Sequence, residues 1–292
     1  MPGTNSGRRQ VSTTILRVVL IVFGFLVVIS LWGFYLSIRP PKIISALTPR
    51  DLKIGYEDVS FRTADGLTLR GWHIPSARST EKTLVLLHGY PADKGDILPA
   101  LAFLHQDFNL LLFDFRYLGA SEGSYSTAGA REVEDLLAAI QFLKTRGTKE
   151  VGVWGFSMGG AVALMALAKA PEIRAVIAES SYASLAHMAL ELFRIPLVNY
   201  PVACLVGFWA KLFLGIDLRD VSPAERVRNT TIPILLIHSS DDAVIPFSHA
   251  QSLRNALANN PRAEFWFHEG FAHGQLDSDY QSRIKQFFHK NL

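Results

Sequence analysis

One serine of this sequence, Ser157, lies in a local pattern that could make its hydroxyl a nucleophile. Residues 151–160 read Val-Gly-Val-Trp-Gly-Phe-Ser-Met-Gly-Gly, and an Ala- and Leu-rich stretch follows. This pattern predicts a short buried strand, a sharp Gly-x-Ser-x-Gly turn and a helix, with glycines where a side chain would clash with neighbouring backbone. Such a turn pushes the hydroxyl of Ser157 out beside the helix N-terminus, whose N–H groups stabilise developing negative charge. Because so short a motif also occurs by chance, an ordinary glycine-rich turn stays an open alternative.

A serine hydroxyl is a poor nucleophile near neutral pH and needs a base within hydrogen-bond reach. Histidine suits this role because its ordinary pKa, about 6.5, lets it take up a proton and return it. An acid must then orient the imidazole and stabilise its cation. Nine histidines are present. The candidates at the ends of predicted strands are His268 and His273 for the base, and Glu179, Asp241 and Asp242 for the acid; the residues alone leave both choices open.

The elements that would position these groups alternate between strand and helix. After an antiparallel pair predicted over residues 56–74, continuous apolar runs predict buried strands, and helical patterns separate them. Such repeated units predict an α/β fold with a mostly parallel sheet covered by helices on both faces. Catalytic groups in these sheets lie at the carboxyl ends of the strands. The predicted later strands are residues 83–87, 109–113, 151–154, 175–178, 231–238 and 264–268.

One region interrupts the alternation, between the strand that ends near Glu179 and the one that starts near Ile232. Residues 182–218 within it are strongly apolar, but Pro196 and Pro201 divide them into stretches too short to span a membrane. One interpretation is a set of helices packed over the core. The other is a lid-like insertion, at about residues 182–231, whose apolar side chains face an acyl chain or a lipid surface. The two interpretations are compatible.

The N-terminal part predicts a membrane anchor. A basic segment, residues 1–17, precedes an uncharged stretch, Val18–Ile38, which spans about 30 Å as a helix, the thickness of a bilayer core. The stretch is longer than the apolar part of a signal peptide, and no small-x-small cleavage site follows it, so we predict an uncleaved anchor; a secreted enzyme with a cleaved N-terminus stays an open alternative. Residues 39–54 would form a linker to a domain over residues 55–292. Basic residues on both flanks leave the orientation open.

The charge distribution argues against a nucleic-acid partner. Residues 1–42 hold five of the 29 bases and none of the 26 acids, so the remainder is slightly acidic and the high isoelectric point belongs to the membrane flanks. The single cysteine, Cys204, excludes an intrachain disulfide, and its apolar surroundings predict a small buried side chain. The sequence contains no metal-ligand spacing, P-loop or dinucleotide fingerprint, so we expect neither a metal nor a cofactor.

Several motifs occur together in an order that resembles the α/β-hydrolase superfamily, particularly its membrane-anchored, esterase- or lipase-like serine hydrolases. The resemblance covers about residues 55–290. It implies the α/β-hydrolase fold and the hydrolysis of carboxylic esters through an acyl-enzyme. The motifs are His88-Gly89, the segment Asp114–Gly123, Gly155–Gly160, Asp242-Ala243-Val244-Ile245-Pro246, and Gly270-Phe271-Ala272-His273-Gly274.

The resemblance also implies a role for each site residue. Ser157 is the nucleophile, and His273, in the loop after the last strand, is the base. Asp242 is the orienting acid because it matches the family's D-x-V-x-P turn, and the order Ser157, Asp242, His273 is that of the superfamily. The oxyanion donors are the backbone N–H groups of Met158 and Tyr90, and each such donor can contribute about 3–4 kcal/mol.

Other residues of these motifs are expected to be structural. We expect His88 to tie loops together and the Asp114–Gly123 segment to shape a loop. The anchor and the apolar insertion favour acyl-lipids or other hydrophobic esters as substrates. Thioester hydrolysis, peptidase activity and acyl transfer use the same three residues and stay open, as does a non-catalytic, membrane-tethered interaction domain, although such domains usually lose one of the three.

Overall fold

The computed structural model of the chain describes residues 4–192 and 198–292. Within these residues, eight strands form one sheet in the order β1-β2-β4-β3-β5-β6-β7-β8. Strand β2 pairs antiparallel with β1 and β4, and the other neighbours are parallel. The strands are β1 (Glu57–Arg62), β2 (Thr68–Ile74), β3 (Thr83–Leu87), β4 (Asn109–Phe113), β5 (Val151–Phe156), β6 (Ile173–Glu179), β7 (Ile234–Ser239) and β8 (Ala263–His268).

Helices connect the strands and cover both faces of the sheet. The connection between β3 and β4 is α-helical at Leu98–Leu101 and continues as a 3₁₀ helix, Ala102–Gln106. The helices are α1 (Thr4–Ile38), α2 (Leu98–Leu101), α3 (Glu132–Thr145), α4 (Met158–Ala166), α5 (Leu185–Leu192), α6 (Asn199–Trp209), α7 (Pro223–Arg226), α8 (Phe247–Ala256) and α9 (Tyr280–Asn291).

The central strands are apolar on both sides because the core continues on both faces of the sheet. In β3, Leu84 and Leu86 pack into one hydrophobic cluster, and Val85 and Leu87 pack into the other. All four side chains are fully buried, which explains why the strand reads as a continuous apolar run. The predicted α/β-hydrolase fold class, with its mostly parallel sheet, is confirmed.

The apolar insertion after β6 is helical where the structure describes it. It contains α5, α6, a π-helical turn at Ala210–Leu214 that continues α6, and α7. Cys204 is exposed, so the prediction that it is buried was wrong. The reason is that α6 turns only one face towards the domain, where Val202 and Ala203 are buried. The insertion residues Phe193, Ile195, Pro196 and Leu197 lie outside the described residues.

Helix α1 begins before the predicted span and is largely uncovered by the rest of the chain. Residues 12–38 of this helix have a mean hydropathy of 2.7 in their most apolar window, of which 6% is buried. By length and composition the helix can cross a membrane. Its contacts with the domain are chiefly with α6, and the buried side chains among its described residues, Ser30 and Phe34, lie in its carboxyl-terminal part.

Candidate active site

Ser157 occupies a strained turn between β5 and α4. Its backbone has φ +52° and ψ −115°, a conformation that is rare for a residue with a side chain. The turn is held from both sides, since the Ser157 N–H donates to the Glu179 carbonyl at 2.8 Å and the Ser181 hydroxyl donates to the Ser157 carbonyl at 3.1 Å. The surrounding structure therefore stabilises a conformation that presents the serine ahead of a helix N-terminus.

The glycines of this turn are required by close backbone contacts. A Cβ at Gly155 would lie 2.4 Å from the carbonyl oxygen of Gly159. A Cβ at Gly159 would lie 2.5 Å from the carbonyl oxygen of Leu87 at the end of β3. No side chain fits at these distances, so the Gly-x-Ser-x-Gly spacing allows α4 to start directly beneath the strand ends.

Asp242 follows β7, and its carboxylate is fully buried. One oxygen accepts the N–H groups of Val244 and Ile245, each at 2.9 Å. The other accepts a hydrogen bond from Nδ1 of His273 at 2.7 Å. Burial raises the pKa of Asp242, but the hydrogen bonds from His273 and the two backbone groups outweigh it, so the net pKa lies below its ordinary value. The group is therefore an anion aimed at the imidazole.

His273 is placed beside the serine turn by the loop after β8. Its Nδ1 is occupied by Asp242, which leaves Nε2 as the nitrogen available for proton transfer. The imidazole packs on the ring of Phe156 with 4.6 Å between centroids, and Phe156 is the residue before Ser157. Gly274 completes this contact, since a Cβ there would lie 2.9 Å from the Phe156 ring.

The structure thus brings two of the three predicted residues into direct contact and the third beside them. In the described part of the chain, neither Ser157 Oγ nor His273 Nε2 has a hydrogen-bond partner. Catalytic hydrogen bonds are often absent or long in free enzymes and tighten when substrate binds.

The two predicted oxyanion donors flank Ser157. Met158 is the first residue of α4. Tyr90 follows Gly89, where a Cβ would lie 3.3 Å from Ser157 Cβ, so the two backbones pass close together. The Tyr90 hydroxyl donates to the carbonyl of Ser37 in α1 at 2.7 Å, and burial raises its pKa to about 12. The Tyr90 side chain therefore acts as a neutral donor to the end of the N-terminal helix.

The alternative acids and base have other partners. Glu179 is buried, and burial raises its pKa to about 7 while it accepts a 2.6 Å hydrogen bond from the Tyr280 hydroxyl. Asp241 accepts the Gly270 N–H at 2.7 Å and so holds the loop that carries His273. His268 ends β8 at the sheet edge, with its Nδ1 buried and unpartnered in the described structure. None of these three forms a hydrogen bond with His273 in the part of the chain that the structure describes.

His88 supports the loop of Tyr90, as expected. It is fully buried, its Nε2 accepts the Phe115 N–H at 3.1 Å, and its Nδ1 therefore carries the proton and donates to the Gly89 carbonyl at 2.7 Å. Burial lowers the pKa of His88, which keeps the ring neutral. Asp114 binds the Lys94 ammonium at 2.7 Å and the Ala120 N–H at 2.9 Å, consistent with the expected loop-shaping role.

One further histidine near the site, His238, has a role that no sequence motif predicted. His238 is the penultimate residue of β7 and is buried. Its Nε2 donates to the Ile245 carbonyl at 2.9 Å and lies 3.8 Å from the Asp242 carboxylate. It therefore closes the turn that holds Asp242. The only signal in the sequence was a polar side chain at the end of an apolar strand, which reads equally well as a strand boundary.

Comparison with known proteins identifies a matching family model and several similar proteins. The model of the α/β hydrolase fold matches residues 82–203. The Escherichia coli protein YfhR, which is uncharacterized, is 32% identical over 217 residues, or 70% of this chain and 69% of YfhR. The polyketide transferase GrgF from a Penicillium species is 35% identical over 128 residues, or 41% of this chain and 43% of the transferase.

A solved structure matches most of the chain. An esterase from Pyrococcus furiosus superposes with a TM-score of 0.73 at 28% identity. The match covers 87% of this chain and 98% of the esterase.

Proposed function

Since the chain belongs to the α/β-hydrolase superfamily and has an esterase-like fold, we propose that it is a serine hydrolase of carboxylic esters. The observation that carries this proposal is the 2.7 Å hydrogen bond between buried Asp242 and His273, beside the strained turn of Ser157. The similarity to the Pyrococcus esterase supports the reaction class. The proposed catalytic domain is residues 55–292.

In the proposed first step, Ser157 Oγ attacks the ester carbonyl while His273 Nε2 takes up its proton. Asp242 stabilises the imidazolium and holds the ring with Nε2 towards the serine. The backbone N–H groups of Met158 and Tyr90 donate to the oxyanion of the tetrahedral intermediate. The intermediate collapses, the C–O bond of the alcohol breaks, and His273 returns the proton to the leaving oxygen.

The second step repeats the chemistry with water. His273 Nε2 removes a proton from the water that attacks the acyl-enzyme, and the same donors hold the second oxyanion. When this intermediate collapses, the bond from carbon to Ser157 Oγ breaks and the serine recovers its proton. The products are the free acid and the alcohol, and no cofactor is consumed.

The proposal includes a membrane setting. We propose that α1 anchors the domain in a bilayer and that the apolar insertion, residues 182–231, is a lid-like element near the site. The support is the long, uncovered apolar helix at residues 12–38. The exposed aromatic and aliphatic side chains of α6 and the π-helical turn add to it. These features favour acyl-lipids or other hydrophobic esters as substrates.

Labelling with a fluorophosphonate probe tests the proposal. The full-length protein should become covalently labelled at Ser157, and Ser157→Ala should lose both labelling and ester hydrolysis. Ser282→Ala, an exposed serine on α9, is the matched control and should keep both. Labelling of Ser157→Ala at the wild-type rate would show that another residue is the nucleophile.

Acyl transfer is a second candidate function, favoured by the similarity to the polyketide transferase. An acyl-enzyme can react with an alcohol, amine or thiol in place of water, and nothing in the three-residue mechanism selects water. Product analysis in the presence of an added alcohol distinguishes the two functions. A transferase would give mainly the new ester, whereas a hydrolase would give mainly the free acid.

A further inference from the structure

The carboxyl-terminal part of α1 binds α6 through side chains that belong to the apolar span. Trp209 Nε1 donates to Ser30 Oγ at 3.0 Å, and the rings of Phe34 and Phe213 stack with 6.2 Å between centroids. Ser30 is fully buried, whereas most of the span is exposed. The Ser30 hydroxyl also donates to the Val27 carbonyl of its own helix at 2.9 Å, and small polar side chains of membrane spans are enriched where helices pack together. The position of Ser30 fits this rule.

The end of α1 is also bound directly to the domain. The Tyr90 hydroxyl donates to the Ser37 carbonyl at 2.7 Å, and the Ser126 N–H donates to the Ile38 carbonyl at 2.9 Å. The Tyr117 hydroxyl donates to the Pro40 carbonyl at 2.8 Å. The span is therefore not joined to the domain by a free tether. Its direction relative to the domain, and hence the depth of each contact along it, is set by these bonds.

The helical rise gives that depth. At 1.5 Å per residue, Phe34 lies about 6 Å and Ser30 about 12 Å before the end of α1 at Ile38. One leaflet contributes about 15 Å of hydrocarbon to a bilayer. If the span ends at the membrane surface, the partners of these two residues, Trp209 and Phe213, lie within the hydrocarbon of one leaflet.

The surface of the insertion around these partners is mainly apolar and uncovered, and its one exposed cation in the described residues 199–214, Lys211, binds the Asp217 carboxylate at 3.3 Å. Tyr200, Phe208, Leu212 and Phe213 are each more than half exposed. A groove of about 650 Å³ with a mainly apolar lining lies between α1 and the π-helical turn, beside the stacked rings of Phe34 and Phe213. A large exposed apolar cluster marks an interaction surface. Because this surface is continuous with the membrane-spanning helix, lipid is the partner that the contacts favour.

We propose that residues 199–214 are embedded in the same leaflet as the carboxyl-terminal part of α1. The partner of this face is the acyl-chain region of a bilayer, and an ester dissolved in that leaflet reaches the domain without passing through water. The inference rests on the proposed membrane anchor and goes beyond it, because an anchor alone would leave the insertion in water.

Depth-dependent quenching tests the embedding in full-length protein reconstituted into phosphatidylcholine–phosphatidylglycerol vesicles. In a Cys204→Ala background, single cysteines at Phe208→Cys and Leu212→Cys carry an environment-sensitive fluorophore. Val22→Cys in the exposed part of the span and Ser282→Cys on α9 are the matched controls. Lipids with a mid-chain nitroxide should quench the labels at positions 208 and 212 several-fold more than the label at 282, and aqueous iodide should do the reverse.

Three outcomes would contradict the inference. If iodide quenches the labels at positions 208 and 212 while the label at 22 is protected, the insertion lies in water although the anchor spans the membrane. If iodide also quenches the label at position 22, α1 does not span the membrane, and both the proposed anchor and the proposed embedding are wrong. Protection from both quenchers would place a protein against this face. None of these results affects the hydrolase proposal, which labelling of Ser157 tests separately.

Discussion

The carboxylates of Asp242 and its neighbour Asp241 have different hydrogen-bond partners. Asp242 binds the imidazole of His273, and Asp241 binds the backbone of Gly270. We expect Asp242→Asn to lower kcat/KM on a soluble ester by about 10³–10⁴-fold, because an amide does not hold the imidazole in the required tautomer or stabilise its cation. Asp241→Asn is the matched control and should change kcat/KM only a few-fold. Equal losses in both variants would remove Asp242 from the mechanism.

Glu179 makes stability depend on pH. Burial raises its pKa from 4.5 to about 7 in the folded protein. Between these values the folded state binds more protons than the unfolded state, so this residue lowers the free energy of unfolding as pH rises from about 4.5 to 7. The linkage amounts to at most about 3 kcal/mol above pH 7. Glu179→Gln can still accept the Tyr280 hydrogen bond and removes the titration.

Unfolding of detergent-solubilised protein measures this effect as the difference between wild type and Glu179→Gln. The variant should gain stability relative to wild type as pH rises from 5 to 8, by up to about 3 kcal/mol. Taking the difference cancels groups common to both proteins, including the buried His88 and His249, whose pKa values are lowered. A difference that stays constant with pH would show that Glu179 ionises normally in the folded protein.

At the scale of elements, the sequence predicted local secondary structure, whereas it did not by itself predict contacts between distant segments. The strand, turn and helix around Ser157 follow from ten consecutive residues, and the clash that requires Gly155 is with Gly159 in the same turn, whereas the clash that requires Gly159 is with Leu87 on another strand. The contact of Asp242 with His273 joins loops 31 residues apart, and only the resemblance to a family predicted it. The exposure of Cys204 was mispredicted, because an apolar helix lying on a surface reads like one inside a core.

The serine turn also offers a test of packing at this scale. A Cβ at Gly159 would lie 2.5 Å from the Leu87 carbonyl, whereas one at Gly207 in α6 has its nearest neighbour at 3.8 Å. Gly159→Ala should therefore destabilise the fold by about 1–3 kcal/mol through overpacking and should reduce kcat/KM, because the start of α4 must shift. Gly207→Ala is the matched control and should be neutral or up to about 1 kcal/mol more stable. Thermal unfolding and ester hydrolysis, measured on both variants, distinguish Gly159→Ala from Gly207→Ala. Full activity in Gly159→Ala would show that the turn can accommodate a methyl group.

On the scale of the whole molecule, the contact of Ser30 with Trp209 joins residues 179 positions apart and links α1 to the insertion. Neither segment alone predicts it, because each reads as an apolar stretch with several possible partners. The contact joins the proposed anchor to the apolar insertion, and under the proposed embedding the two form one unit that faces the membrane. The active site would then meet its substrate at the bilayer rather than in solution.

This arrangement predicts that activity on a membrane-dissolved ester depends on a residue outside the catalytic machinery. Leu212 is 59% exposed on the π-helical turn. Leu212→Glu should raise the apparent KM for an ester dissolved in vesicles by about tenfold or more, because a charged side chain is costly in hydrocarbon. Its kcat/KM for a short soluble ester should not change. Leu212→Met keeps an apolar side chain and should behave as wild type with both substrates. Equal loss on both esters would indicate damage to the site, and no loss on either would place Leu212 in water.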